Sequence, residues 1–262
     1  MDIQFAKYQG TGNDFVLADN RQGQYDGLTT EQIKKICDRR FGIGADGMIL
    51  LNNREGYDFE QKYFNANGKI GSMCGNGGRC LIKFAYDCGI HASQYHFLAY
   101  DGVHEGIITP EGIIKLKMQD VNKITNYHND YILDTGSPHY IKLVSNVMDI
   151  DVVKRGKEIR HLEEFDEEGI NVNFVEQLED DEKIIVRTFE RGVEGETFSC
   201  GTGVTASALI CFHNDNGFNE VKVKTLGGHL FVEFDRIADE RFENIWLCGP
   251  AEKVFEGTIS IA

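Results

Sequence analysis

The feature that most constrains this chain is that it contains itself twice. Cys74-Gly-Asn-Gly77 and Cys200-Gly-Thr-Gly203 share a C-G-x-G turn that enters an apolar helical stretch. Each is preceded by a strand-like run, ending in Phe64-Asn65 or in Phe189-Glu190. The spacing repeats as well. Thr11-Gly12 precedes Cys74 by 63 residues and Thr135-Gly136 precedes Cys200 by 65, while Gly102 and Gly228 each lie 28 residues beyond their cysteine. Landmarks recurring in order at one period read as a duplicated domain of about 120 residues. The join falls near residue 115, giving halves 1–115 and 116–262.

Within each half the pattern is β-rich with a few helices. Ile114 to Met118, Asp58 to Phe64 and Val221 to Thr225 alternate with the period of two of half-buried strands. Thr29 and Gln32 have the spacing of a capping box that opens a helix carrying Ile33, Ile36, Cys37 and Arg40. Leu81, Phe84, Ala85 and Cys88 form an apolar helical stripe that stops at Gly89, and Val204 to Phe212 reads as a buried helix.

Each C-G-x-G places a cysteine at a strand-to-helix junction, where unpaired backbone N–H groups and the positive helix end favour a thiolate. The glycines remove side-chain bulk and let a carboxylate approach those N–H groups. A single such cysteine is adequately explained as a small buried hydrophobe. Two at equivalent points of a duplication point instead to paired chemistry, in which one thiolate takes a proton from a carbon and the other thiol returns one to the opposite face. The product is the inverted stereocentre.

Composition narrows the partners. With 27 basic and 42 acidic residues the chain carries a formal charge of -15, which disfavours nucleic acid and anionic membranes and leaves a small molecule as the expected partner. No apolar run approaches the roughly 20 residues of a membrane helix, and the alternating N-terminus is unlike a signal peptide, so a cytosolic location is expected. Seven cysteines in a chain this long argue against a disulfide framework. A zinc site from Cys74, Cys80, Cys88 and His91 or His96 lacks any C-x-x-C pair, so no metal is expected. Gly42-x-Gly44-x-x-Gly47 fits the dinucleotide fingerprint as a string, but a helical pattern precedes it and a strand follows, the reverse of the required context.

The chain also resembles a known family. Asn13-Asp-Phe-Val, Gly42-Ile-Gly-Ala-Asp-Gly47, Phe64-Asn-Ala-Asn-Gly68, Met73-Cys-Gly-Asn-Gly-Gly-Arg-Cys80, Gly136-Ser-Pro-His139, Asn171-Val-Asn-Phe174, Glu190-Arg-Gly192 and Ser199-Cys-Gly-Thr-Gly203 resemble the ordered motifs of diaminopimelate epimerase. The resemblance implies an α/β (α+β) fold of two pseudo-symmetric homologous domains. Each would be a mostly antiparallel sheet wrapped around a central helix, with the last strand, about residues 252–262, returning to the first domain. It implies a cofactor-independent epimerase that interconverts LL- and meso-2,6-diaminopimelate for lysine and peptidoglycan synthesis, with a homodimer as a possible assembly. It makes Cys74 and Cys200 the acid/base pair and His139 and Glu190 the groups that position or deprotonate the thiols. Asn13, Asn65, Asn171, Glu190 and Arg191 match substrate-binding positions, and Gly75, Asn76, Gly201 and Thr202 match the backbone donors to the reacting carboxylate.

Three departures from the pattern stand out. Ser137 occupies a position where many members carry asparagine, Gly47 one where some carry a substrate-contacting glutamine, and the stretch from Glu190 to Thr197 is one residue longer than the usual form. Two other readings stay open. A proline racemase or hydroxyproline epimerase would share the fold and paired cysteines, although Asn76 stands where those enzymes typically have histidine. A non-catalytic amino-acid-binding module would keep the fold without the chemistry. If the two cysteines face each other, mild oxidation is expected to join Cys74 to Cys200 and abolish activity, with recovery on thiol reduction. Peptide mapping that found Cys80 or Cys88 in the crosslink would refute that pairing.

Overall fold

The structure, a computed structural model, describes residues 1–178, 183–211 and 216–261. The chain divides into two compact units, Met1–Leu116 with Pro250–Ala262, and Lys117–Gly249. The first contains β1 (Asp2–Gly10), β2 (Asn13–Asp19), α1 (Thr30–Cys37), β3 (Gly47–Asn52), β4 (Phe59–Asn65), α2 (Gly75–Asp87), β5 (Tyr95–Ala99), β6 (Gly102–Ile108) and β7 (Ile114–Lys117), the last ending at the boundary. The second contains β8 (Thr125–Tyr127), β9 (Asp130–Asp134), β10 (Pro138–Leu143), α3 (Val152–Arg160), β11 (Asn171–Leu178), β12 (Lys183–Glu190), β13 (Gly195–Thr197), α4 (Gly201–Cys211), β14 (Gly217–Thr225), β15 (Gly228–Ala238) and β16 (Arg241–Gly249). The final strand, β17 (Glu252–Ser260), pairs antiparallel with β1 of the first unit.

The duplication seen in the sequence is a duplication of strand order. In the first unit β1 to β7 pair in sequence, antiparallel except at β2–β3 and β4–β5. In the second, β9, β10, β11, β12, β14, β15 and β16 repeat that order, with the parallel pairs at β10–β11 and β12–β14. Parallel neighbours need a long crossover, and among the described residues each of the four carries one α-helix, that between β10 and β11 with a short 3-10 turn before it. Two of these helices, α2 and α4, are central: α2 packs on β1, β2, β3, β6 and β17, and α4 on β9, β10, β11, β12 and β14 to β16. In α4 every residue except Thr202 is buried, as a helix apolar on all sides must be. Among the described residues no helix is long and apolar enough to cross a membrane.

Local expectations are met with small shifts. The Thr29–Gln32 capping box is present, but α1 ends at Cys37 and leaves Arg40 in the following turn. The α2 stripe ends at Cys88, and Gly89 follows with φ +86°, the left-handed stop that glycine adopts without strain. The last residue of the expected buried helix, Phe212, lies outside the described residues. The strand before Cys74 ends at Asn65, as the sequence pattern predicts. Residues 66–73 intervene between β4 and α2, because the chain first makes the tight turn that bonds Gly68 N–H to the Asn65 carbonyl.

Strand β17 completes the first unit's core. Ile261 beyond it is 3% exposed and packs in a cluster with Ile3, Val16, Ile33, Met48 and Phe64. Its backbone N–H and carbonyl both bond to Met1. Ile261→Ala is expected to destabilise the protein by about 2–4 kcal/mol, read as an earlier midpoint in urea denaturation with increased amide exchange in β1.

Candidate active site

In both units the signature cysteine is the residue that starts the central helix. The Cys74 carbonyl accepts the first helical bond from Gly78 N–H at 2.7 Å, and the Cys200 carbonyl accepts it from Val204 N–H at 2.9 Å. Each thiol therefore stands beside the first-turn N–H groups, of residues 75–77 and 201–203, which no helical carbonyl can satisfy. Those donors and the helix dipole stabilise negative charge at the turn. Cys200 is buried and Cys74 half-buried, and all seven cysteines are thiols.

In the first unit the structure brings Asn13, Cys74 and Asn76 together. The Cys74 thiol donates to Asn13 Oδ1 at 3.5 Å, and Asn76 Nδ2 donates to the same oxygen at 3.2 Å. Beneath them lies Arg79, fully buried, which donates to Asn76 Oδ1 at 3.0 Å, Thr11 Oγ1 at 3.2 Å and the Gly75 carbonyl at 3.4 Å. Asn13 is held from its other end, where Nδ2 donates to Asp46 at 2.6 Å. Asp46 shares Arg39 with Asp14, and Asp14 also meets Lys7 at 2.7 Å. Burial raises the Asp14 carboxyl, but hydrogen bonds and charge from Arg39 and Lys7 outweigh it and hold the group down at about 2. Asn65 ends β4 opposite Gly47, and the next residue, Ala66, donates its N–H to the Asp46 carbonyl. At Gly47 a Cβ would come within 2.5 Å of the Tyr63 ring, so tyrosine fills the space a longer side chain would need.

The second unit assembles His139, Asn171, Glu190, Arg191, Cys200, Gly201 and Thr202 around α4. The Cys200 thiol lies 3.5 Å from the Thr202 hydroxyl, and Thr135 Oγ1 donates to the Thr202 carbonyl at 2.8 Å, which pins the turn. Glu190 is half-buried at the end of β12, next to Asn171 in the ladder. Asn171 donates to Ser137 Oγ at 2.9 Å and to the Pro138 carbonyl at 3.1 Å, and its Oδ1 accepts from Arg191 N–H at 2.9 Å. The Arg191 guanidinium donates to the Glu168 carbonyl at 2.9 Å and to Ser137 Oγ at 3.2 Å. It passes beside Gly169, where φ is +75° and a Cβ would sit 2.7 Å from Arg191 Cδ, so only glycine suits the position. Ser137 thus ties two substrate-binding candidates together instead of standing alone as a ligand.

His139 is fully buried on β10, with Nδ1 3.0 Å from Asn173 Nδ2 and Nε2 without a hydrogen-bond partner among the described residues. Burial, with the Arg191 charge as a lesser cause, pushes the imidazole down to about 3. A buried polar atom without a partner costs about 1–3 kcal/mol, a cost usually tolerated where a ligand or reacting group supplies the bond.

Several contributors were not legible as site residues in the sequence. Asp46, Arg39 and Lys7 orient Asn13 from 33, 26 and 6 residues away in the chain. Arg79 and Asn173 belong to recognisable motifs, and the available signal was polarity at inward positions of otherwise apolar elements.

In fold, the chain matches a Bacillus anthracis phenazine biosynthesis protein of the PhzF family with TM-score 0.76 at 17% identity, covering 100% of both chains. It matches an Agrobacterium vitis hydroxyproline epimerase with TM-score 0.71 at 12% identity, covering 98% of this chain and 91% of that one. The class is therefore the duplicated α/β fold that these proteins share. In sequence, residues 5–127 and 131–254 match the profile of the diaminopimelate epimerase family. The diaminopimelate epimerase of Flavobacterium psychrophilum is 45% identical over 98% of this chain and 100% of its own length, and that of Chlorobaculum tepidum 44% over 96% and 99%. The chain belongs to the diaminopimelate epimerase family, and its class of enzyme is the isomerases.

The neutral, buried state of His139 makes stability depend on pH. Unfolded, the imidazole takes a proton near 6.5, while folded it stays neutral down to about 3. Between those limits the unfolded chain binds the extra proton, so this contribution is complete above pH 6.5 and is lost at about 1.4 kcal/mol per pH unit as pH falls. In urea denaturation at pH 7 and pH 5, His139→Asn is expected to lose less stability over that interval than the wild type. Equal losses in both proteins would show that His139 titrates normally.

Proposed function

We propose that this chain interconverts LL- and meso-2,6-diaminopimelate by two-base thiol chemistry, with Cys74 and Cys200 as the bases. The observation that carries the reading is that each cysteine of a duplicated fold begins a buried central helix whose first turn is glycine-rich. Such a turn offers a thiolate and a substrate carboxylate the same set of N–H donors.

The steps balance without a cofactor. One cysteine, as thiolate, takes the α-proton and becomes a thiol. The electron pair left on the α-carbon spreads into the adjoining carboxylate, where Gly75, Asn76, Gly201 and Thr202 are the candidate backbone donors. Each donor directed at developing charge of this kind lowers the barrier by about 3 kcal/mol. The other cysteine, as thiol, gives its proton to the opposite face and becomes a thiolate. The carbon is inverted, and the thiol and thiolate have exchanged places, ready for the reverse reaction.

The distal end of the substrate carries a second ammonium and carboxylate that take no part in the chemistry. Arg191 supports a carboxylate grip there, since its anchoring bonds leave N–H groups of the guanidinium for a ligand. Asn13, Asn65 and Asn171 are the candidate amides for these groups; Asn171, with both N–H groups engaged by Ser137 and Pro138, would meet the ammonium through Oδ1. His139 and Glu190 are assigned to supporting the thiols. The reading keeps the enzyme in the cytosol with an amino acid as its partner, and the departures at Ser137 and Gly47 leave the two cysteines untouched.

The test is deuterium exchange at the substrate α-carbon in heavy water. The wild type is expected to exchange and epimerise both diaminopimelate stereoisomers, while Cys74→Ala and Cys200→Ala each lose turnover by about 10⁴-fold or more while remaining folded. Exchange into proline in place of diaminopimelate would move the chain to the racemase branch, and exchange into neither would leave the non-catalytic module. Arg191→Lys is expected to raise KM by about 10–100-fold with a smaller change in kcat, because a point charge replaces a planar fork.

A further inference from the structure

The two central helix starts are built alike but surrounded differently. The registers Phe15↔Gly47 and His139↔Asn171 occupy the same place in the two parallel pairs β2–β3 and β10–β11. Two residues further on, Ile49 pairs with Tyr63 and Asn173 with Thr188. Phe15, Ile49 and Tyr63 of the first unit are therefore the counterparts of His139, Asn173 and Thr188 of the second. The glycine two residues inside each helix registers the difference. A Cβ on Gly77 would touch Ile49 Cδ1 at 3.2 Å and Phe15 Cζ at 3.4 Å, whereas a Cβ on Gly203 would meet Asn173 Oδ1 at 2.3 Å and His139 Cε1 at 3.3 Å. What is apolar packing in one half is a fully buried polar cluster in the other.

The bonds of that cluster have one direction. The Tyr140 carbonyl can only accept, so the Asn173 amide must turn its NH2 toward it, at 3.2 Å. Thr188 Oγ1, 2.9 Å from the other side of the amide, donates to Asn173 Oδ1 and holds the same orientation. The second hydrogen of the NH2 group then faces His139 Nδ1 at 3.0 Å. A nitrogen that accepts a hydrogen bond carries no proton, so the proton of the neutral ring sits on Nε2. Nε2 is the ring atom without a hydrogen-bond partner among the described residues.

We propose that Asn173, held by Thr188 and by the Tyr140 carbonyl, is a positioning residue that locks His139 in its Nε2–H tautomer. His139 then serves the thiol chemistry as a hydrogen-bond donor to a thiolate and not as the base that deprotonates a thiol. The first statement concerns the resting protein alone, while the second rests on the function proposed above. The lock explains why Gly203 has no side chain: a Cβ there would displace the Asn173 amide oxygen. It also explains the polar content of this cluster, because the cost of burying three polar side chains is offset only where their bonds are made and used.

Long-range proton–nitrogen NMR of the resting enzyme, with the His139 signals identified by their absence in His139→Gln, reads the tautomer directly. The expected result is Nε2 protonated and Nδ1 bare at neutral pH, whether or not the enzyme acts on diaminopimelate. A proton on Nδ1 would overturn the lock. Asn173→Leu keeps the approximate shape and removes the donor. It is expected to give a mixture of tautomers and to lower kcat by about 10–100-fold with KM nearly unchanged. Thr188→Val, which frees the amide to rotate without removing it, is expected to show a smaller shift of the same kind should Asn173→Leu fail to fold. Wild-type kcat with a mixed tautomer in either variant would overturn the donor role, and an unchanged Nε2–H spectrum in both would overturn the assignment of the lock to Asn173. Absence of α-proton exchange in the wild type would count against the proposed function, with the tautomer still decided by the spectrum.

Discussion

The constraint on which this structure depends is that the start of a buried helix must find partners for backbone N–H groups that the helix cannot satisfy. In each unit that start is a cysteine followed by Gly-x-Gly, at the end of the central helix around which the strands are wrapped. An ordinary cap would place serine, threonine or aspartate there and close the turn on itself. A cysteine with neighbouring glycines removes side-chain bulk from the turn and adds a titratable sulfur beside it. Much of the surrounding structure can be understood as support for these two turns. Arg79 and Thr11 secure the Asn76 side chain in one, and Thr135 secures the Thr202 carbonyl in the other.

Duplication supplies two such starts, and the chain has treated them unequally. The registers of β2–β3 and β10–β11 are the same, so corresponding residues can be compared one by one. Phenylalanine and isoleucine give the first half apolar contacts against the Gly77 side of its helix. Histidine, asparagine and threonine give the second a set of directed hydrogen bonds in the same place. An epimerase handling two stereoisomers needs two groups that exchange roles, but nothing requires their supports to be identical. The two cysteines thus share a place at a helix start while the residues packed around those helices differ.

Part of this was legible in the residues themselves. The C-G-x-G strings, their offsets and the flanking apolar runs identified both the duplication and the cysteines, because a glycine-rich turn into an apolar helix is a local pattern. The capping box at Thr29 and the stop at Gly89 were legible for the same reason. Less visible was the support around the asparagines. Asn13 is visible as a substrate-binding candidate, but not the acceptance of its amide by Asp46, 33 residues away. Ser137 reads as a departure from a motif until it is found accepting from both Asn171 and Arg191, 34 and 54 residues away. Arg79 is visible in the sequence as part of the Met73–Cys80 motif, but its complete burial is not.

The sequence by itself determined the repeated architecture, the two helix-starting thiols and the family, since each rests on residue type and spacing within a short stretch. The tertiary structure alone decided which hydrogen bonds the polar residues make. Asn173 meets His139 across 34 residues and Thr188 across 15, through a parallel register on one side and an antiparallel register on the other. Register is set by how whole strands bury their apolar faces, and a shift of one residue would turn each of these side chains to the opposite face of its strand. The direction of a proton on a buried imidazole is therefore a property of the assembled sheet, not of any motif that can be read along the chain.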